Sequence, residues 1–188
     1  MAVSRHATGR GPFTYEDLLH TPDDGKRYEV LEGVLSVSPA PSVQHQRLVK
    51  RLQRLLMRAE EAGAGEWFPA PLDVVLSQHN VVEPDLLFVA QGRLGIVTAD
   101  NVQGAPDLVV EIISAGSRKR DVITKQHMYE RHGVPFYWLV DPEEETLRVL
   151  ELKDGAYGEP IALKAGQQLG CDLFPGITQA VAELFAEP

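Results

Sequence analysis

Three features of this 188-residue chain predict an α/β protein built around a mixed sheet. Two stretches, VVEPDLLFVA (81–90) and DLVVEIIS (107–114), are nearly continuous in apolar residues, as expected of strands covered on both faces. A helix-spaced segment from Ser117 to His132 joins the second stretch to PFYWLVDP, and a strand, helix, strand crossover implies a parallel pair. KRYEVLEGVLSVSP (26–39), with Glu32-Gly33 as its tight connection, reads as an antiparallel hairpin.

The elements follow in order. Residues 1–12 are a polar lead-in, and Thr14 to Leu19 can form a short helical turn. In the hairpin, Tyr28 and Val30 alternate with Glu29 and Leu31 before the chain returns through Val34 to Val37. Ser42, after Pro41, is a plausible N-cap for a helix from Val43 to Ala62, with Leu48, Val49, Leu52, Leu55, Leu56 and Ala59 at helical spacing. Gly63 and Gly65 end it. Three extended segments are expected next, Glu66 to Leu76, Val81 to Ala90 and Leu108 to Ser114, with a polar stretch rich in Gly and Asn between the second and third. After the crossover helix, Gly133 and Pro135 lead into PFYWLVDP, Glu145 to Leu152 pairs with that strand as a hairpin, and FPGI precedes a small terminal helix in TQAVAELF. With no repeat, low-complexity tract or linker, residues 1–25 are expected to be a lead-in and 26–188 a single domain.

Composition narrows the chemistry. No apolar run approaches the roughly 20 residues of a membrane span, and MAVSRHATGRGP lacks an apolar h-region, so a soluble, cytoplasmic protein is expected. Cys171 is the single cysteine, which excludes an intrachain disulfide and a thiolate cluster; any metal must be held by oxygen or imidazole. A formal net charge of -9 opposes nonspecific attraction to a polyanion. The local exception is the far side of the first long helix, where Arg47, Lys50, Arg51, Arg54 and Arg58 form a basic stripe that is either a solvated face or a contact for a phosphate backbone.

Charges also occur where the pattern calls for none. Period-two counting puts Asp85 inside the first apolar strand, on a face with Glu83, Leu87 and Val89. It puts Glu111 inside the second, with Asp107, Val109 and Ile113. A carboxylate removed from water without a partner costs several kcal/mol or more, so it is protonated, paired or bound to metal. On the crossover helix, with Val122 at zero and about 100° per residue, Tyr129 falls near 340°, Lys125 near 300° and Gln126 near 40°. Lys125 therefore lies close to the inward stripe and can turn back onto the sheet. Two acids and a lysine at one place make up a hydrolytic phosphodiester site, in which the acids hold a hard divalent ion and the lysine orients a water. Simpler accounts are available for each residue. Asp121 and Lys125 form an i,i+4 pair, Asp85 follows Pro84 and can be a strand entry, and Asp107 opens its strand after Pro106. His45 lies on the apolar side of its helix, as a core or capping residue or as a ligand. Trp67, Phe68 and Phe136-Tyr137-Trp138 are most simply core or subunit interface.

YEVLEG, PSVQH, VEPDLLFV, APDLVVEIISAGS, RDVITKQHMYERHGVPFYWLVDP and FPGI, in this order over roughly residues 26 to 185, resemble the Uma-two family of endonucleases, within the PD-(D/E)XK nuclease superfamily. The resemblance implies a restriction-endonuclease-like fold and cleavage of DNA. It carries the motif aspartate to Asp85 and the second acid to Glu111, with Ile112 as the intervening residue whose carbonyl joins Mg²⁺ (or Mn²⁺). Ile113 stands where the superfamily motif has lysine, and the family's displaced lysine matches Lys125. Glu29 matches a further family acid. Gln126, His45, Arg47 and Arg51 are then candidates for contacts with the substrate, and the partners implied are DNA and a second copy of the chain. The alternative is a non-catalytic dimeric binding or regulatory module that keeps the fold and pairs its acids in the core.

Overall fold

The computed structural model describes residues 2–3, 11–114, 116, 118 and 120–186. Most of the polar lead-in, together with the expected helix start at Ser117, lies outside the described residues. Ala2–Val3 (β1) is followed by a one-turn helix, Tyr15–Leu18 (α1), in which Thr14 and Asp17 cap each other reciprocally. The hairpin is Arg27–Leu31 (β2) and Val34–Ser38 (β3). Its turn residues Glu32 and Gly33 both have positive φ, 51° and 74°, the twist that suits a two-residue connection between antiparallel strands.

Helix α2 runs Val43–Glu61, with the Ser42 side chain accepting from the His45 backbone N–H. It buries all six of the apolar positions that its spacing marks. Five of them are Leu or Val, each worth about 1.5–3 kcal/mol when fully removed from water, so α2 is held by packing. Gly63, at φ 75°, ends it in the left-handed conformation that a helix terminus favours.

The segment expected as one extended run from Glu66 to Leu76 is two strands, Gly65–Pro69 (β4) and Val74–Ser77 (β5), belonging to different sheets. The run from Val81 to Ala90 is divided in the same way, into Asn80–Val82 (β6) and Leu86–Ala90 (β7). Prolines cause both breaks. Pro69 and Pro71 flank the first, Pro84 sits in the second, and a residue without an N–H interrupts a hydrogen-bonded ladder. The polar stretch contains a 3₁₀ segment, Gln91–Ile96, and a two-residue strand, Val102–Gln103 (β8). Leu108–Ile112 (β9) then enters the crossover, a π-helical turn at Arg120–Lys125 continuing into Gln126–Arg131 (α3). The chain finishes with Phe136–Asp141 (β10), Thr146–Lys153 (β11), Ala156–Tyr157 (β12), Ile161–Leu163 (β13), Gln168–Leu169 (β14), Gln179–Ala180 (β15) and Val181–Phe185 (α4).

The central sheet has the order β12-β11-β10-β9-β7-β4, with β13 also on β11. Its β9–β10 pair is parallel, as the crossover requires, and β7–β9 is antiparallel, so the sheet is mixed. A second mixed sheet, β1-β3-β2-β6-β5-β8, carries the hairpin. Alternate residues of the central strands sort into two layers. Leu86, Phe88, Val110, Ile112 and Trp138 pack with α2 and α4, whereas Leu87, Val89, Val109, Tyr137 and Leu139 pack with Met128 and Tyr129 of α3 and with Leu31, Val74 and Val82 of the second sheet. Phe13 and Leu18 add a small cluster with Val30 and Val81. Gly65 lets the start of β4 lie close against the end of β7, its antiparallel neighbour, because a Cβ there would stand 2.1 Å from the Val89 carbonyl oxygen.

Candidate active site

Glu29 comes from β2, whose neighbour β6 leads through Glu83-Pro84-Asp85 straight into β7. The link between the two sheets is thus only three residues long, and it delivers Asp85 beside the hairpin acid. Asp85 is not interior to a strand: β7 begins at Leu86, one residue later, and the break at Pro84 is the reason. Glu111 is interior to β9, as the alternation predicts. In the antiparallel register Leu86 faces Val110, which brings Asp85 level with the Glu111 end of β9.

Lys125 reaches this place from the crossover. Its Nζ is 2.7 Å from Glu111 Oε1 and 2.7 Å from Glu29 Oε1. The i,i+4 account of the lysine therefore does not describe these two ion pairs, although Asp121 is also buried and contributes to the field at the ammonium. The Tyr129 hydroxyl donates to the same Glu111 oxygen at 2.8 Å, and the Glu83 backbone N–H donates to Glu29 Oε1 at 3.1 Å. Asp85 has a separate set of partners. Its Oδ2 accepts from the Ile112 N–H at 2.8 Å and meets His45 Nε2 at 3.0 Å, while Oδ1 accepts from Arg27 at 3.0 Å. His45 is thus both part of the α2 cap, through its backbone, and a ring partner of Asp85.

The sequence anticipates Asp85, Glu111, Lys125 and Glu29 as one group, and the structure brings them together with His45 and Ile112. Gln126 is half-buried and outside this charge network. Arg51 is engaged elsewhere: it donates to the Leu184 and Ala186 carbonyls at 2.7 and 2.6 Å, satisfying the exposed end of α4. Arg58 does the same for Thr178 O at 2.7 Å. Arg47, Lys50 and Arg54 remain exposed on α2. Asp107 is structural, held by Arg93 at 2.7 Å and by the Ala90 N–H at 2.8 Å.

Arg27 and Tyr129 are the site residues that the sequence does not single out. Arg27 is two residues before Glu29 on β2 and so shares its face, and Tyr129 is one helical turn after Lys125. Both follow from the periodicities once Glu29 and Lys125 are taken as members.

Burial dominates the electrostatics. Glu29, Asp85, Glu111 and Lys125 are all 3% exposed or less. The four side chains are sealed from solvent, in contrast to the open, wet cleft that hydrolysis requires of them, and Arg27 and Glu83 reach the surface beside them. Burial opposes charge on Asp85, yet the His45 hydrogen bond, the Arg27 guanidinium and the Ile112 N–H together hold its carboxyl at about 2. Glu29 is likewise held down against burial by Lys125, Arg120 and Arg27. Glu111 goes the other way: burial, reinforced by the fields of Asp121, Asp85 and Glu29, outweighs Lys125 and pushes it up to about 8. Burial would lower Lys125, but Glu111 and Glu29 more than reverse this and raise it, so the ammonium stays charged.

The donor set fits a hard divalent ion in kind. It is all oxygen, and Glu29 Oε2 is buried without a hydrogen-bond partner among the described residues. Protein cations stand against every one of these acids. Among the described residues no three His, Cys, Asp or Glu side chains are grouped so as to hold an ion.

The fold is similar to that of a solved structure from Anabaena variabilis ATCC 29413, described as a putative nuclease belonging to DUF820. The two agree with a TM-score of 0.78 at 19% identity, over 93% of this chain and 98% of that one, which shows a common fold. The chain itself belongs to the Uma2 family, described as "putative restriction endonuclease", whose model matches residues 14–182. No curated protein matches it. No helix among the described residues is long and apolar enough to cross a membrane.

Proposed function

We propose that this protein is a metal-dependent endonuclease that hydrolyses DNA phosphodiester bonds. The observation that carries the proposal is the position of Lys125. A lysine absent from its usual place after Glu111 is supplied by the following helix, and its ammonium lies 2.7 Å from both Glu111 and Glu29. Asp85, Glu111 and the Ile112 carbonyl would hold Mg²⁺ or Mn²⁺, with Glu29 as a further acid. When bound, the ion supplies Lewis-acid stabilisation of phosphoryl charge and a more acidic water.

The chain's own groups have separate tasks. Lys125 orients a water for attack, and it is fixed for this by two carboxylates and by its own burial. Tyr129 holds Glu111 through the oxygen that also meets Lys125. The Ile112 N–H and His45 fix the rotamer of Asp85. Exposed Arg47, Lys50 and Arg54 offer a cationic strip for a phosphate backbone on a protein whose net charge is otherwise repulsive. The homodimer and the cytoplasmic site of action expected from the sequence belong to the same proposal.

The test is nicking of supercoiled plasmid with Mg²⁺ or Mn²⁺, with and without EDTA, by wild type, Glu111→Gln and Lys125→Met, each shown to be folded by circular dichroism. Divalent-dependent nicking lost in both variants is the expected result. Nicking that persists in folded Lys125→Met removes the mechanism.

One observation favours a second reading, a binding module that has kept the nuclease fold: each acid already has a protein cation against it. On that reading calorimetric titration with Mg²⁺ or Mn²⁺ gives no heat of binding, and Glu111→Gln alters stability alone.

A further inference from the structure

Arg27 holds one of the two carboxylate oxygens of Asp85. The two carboxylate oxygens of Asp85 are not equivalent. Oδ2 is taken by the Ile112 N–H at 2.8 Å and by the His45 ring at 3.0 Å, one of them a backbone group that cannot move without breaking β9. Oδ1 has the Arg27 guanidinium at 3.0 Å and no other partner among the described residues. Arg27 is also set apart by exposure. Its side chain is 22% exposed, against 1–3% for Glu29, Asp85, Glu111 and Lys125 and 12% for His45, so of the two side chains on Asp85 it has the wider path to solvent. Its second acidic neighbour is Glu83, 3.9 Å away at the rim and 15% exposed, which gives the guanidinium somewhere to go.

From this geometry we infer that Arg27 is a resident counter-cation of the metal-free protein, which a divalent ion displaces from Asp85 Oδ1 when it binds. The inference rests on the assignment of Asp85 as a metal ligand and adds the residue that competes for it. A buried carboxylate is costly without a partner, so a metal site that must fold before it is loaded needs an internal cation to stand in. Lys125 cannot serve, since it is engaged with Glu29 and Glu111. Arg27 closes the site in the absence of metal and is released toward Glu83 in its presence. Two consequences follow: metal affinity is reduced by the competition, and the metal-free protein is more stable than it would be with a neutral side chain at residue 27.

Two measurements on the full chain test this. The first is calorimetric titration of chelator-stripped wild type, Arg27→Met and Asp85→Asn with Mn²⁺. Arg27→Met should bind Mn²⁺ at least about tenfold more tightly than wild type, and Asp85→Asn should lose the ion. The second needs no variant to fold. In wild type carrying ¹⁵N-arginine, the Arg27 Nε–H resonance should shift on titration with Mg²⁺. Equal or weaker Mn²⁺ binding by Arg27→Met, or an Arg27 resonance that stays still while wild type takes up ion, overturns the inference and leaves the nuclease reading standing. Folded wild type and Arg27→Met that both fail to take up ion overturn the two together.

Discussion

Lys125 Nζ and Glu111 Oε1 stand 2.7 Å apart across fourteen residues of chain, the two ends of the strand-to-helix crossover closing on each other inside the protein. The pair is fully buried and shares its lysine with Glu29, so removal of the ammonium strands the Glu29 carboxylate and takes from Glu111 the cation that favours its ionisation. Lys125→Met should destabilise the metal-free protein by about 3–5 kcal/mol, the range for breaking one side of a buried ion pair. Glu111→Gln in the same chain should return part of the loss, with a coupling of about 1–3 kcal/mol between the two substitutions in urea denaturation. Strictly additive effects would show that the contact carries no energy of its own.

Tyr129 donates to the oxygen that faces Lys125, 2.8 Å from Glu111 Oε1. The ring packs against Tyr137 at a centroid separation of 5.0 Å and has the shape of a core residue, so Tyr129→Phe keeps the packing and removes only the hydroxyl. Above about pH 8, where Glu111 is ionised, a hydrogen bond to a charged group contributes about 1.5–3 kcal/mol, and the variant should lose that much in denaturant titration while its near-ultraviolet circular dichroism stays close to wild type. A loss below about 0.5 kcal/mol would mean that water or another donor replaces the hydroxyl.

Much of this site is readable from one-dimensional periodicity, because strand alternation and helix spacing are local properties of the chain. Glu111 falls on the Val109 and Ile113 face for that reason, and Lys125 falls toward the inward stripe. Three features are not readable. The π turn at Arg120–Lys125 departs from the 100° step that the wheel assumes, so the angles it assigns across this segment do not hold. The change of sheet at Pro84 divides an apolar run that looks continuous, since burial on both faces leaves no polar residue to mark the boundary. The pairing of Asp85 with Arg27 and His45, 58 and 40 residues away, depends on how the second sheet docks, and no local pattern encodes that.

Asp85 and Glu83 give opposite pH dependences from positions two residues apart. Asp85 is held at about 2 in the folded protein, below its ordinary 3.8, so the stability it contributes is present above about pH 4 and lost as pH falls toward 2. The difference of 1.8 (3.8 minus about 2) corresponds to on the order of 2 kcal/mol. Glu83 is raised from 4.5 to about 7, by burial first and then by Asp73 and Glu29, so its contribution is complete below pH 4.5 and lost as pH rises through 7. In EDTA, the stability gap between wild type and Asp85→Asn should narrow on acidification from pH 4 to 2. Wild type should lose stability relative to Glu83→Gln between pH 5 and 7. Gaps that stay constant across these windows would show that neither carboxyl titrates as its surroundings dictate.

The basic stripe of α2 divides into two groups with different predicted phenotypes. Arg51 donates to Leu184 O and Ala186 O, so Arg51→Ala should free the last turn of the chain, which hydrogen exchange would report as faster amide exchange in Val181–Phe185. It should cost about 1–2 kcal/mol through the two lost charge-assisted hydrogen bonds. Arg47, Lys50 and Arg54 are exposed, so neutralising one of them should leave stability within about 0.5 kcal/mol. If the strip meets DNA, each such neutralisation weakens binding evenly across sequences and reduces the slope of log K against log salt by about 1. Fluorescence anisotropy with a labelled duplex at several salt concentrations, in Ca²⁺ to avoid cleavage, measures that slope. An unchanged slope in Arg47→Ala, Lys50→Ala and Arg54→Ala alike would assign the strip to solvent and move the search for the DNA surface to the other rim of the acid cluster, where Arg27 and Arg120 stand.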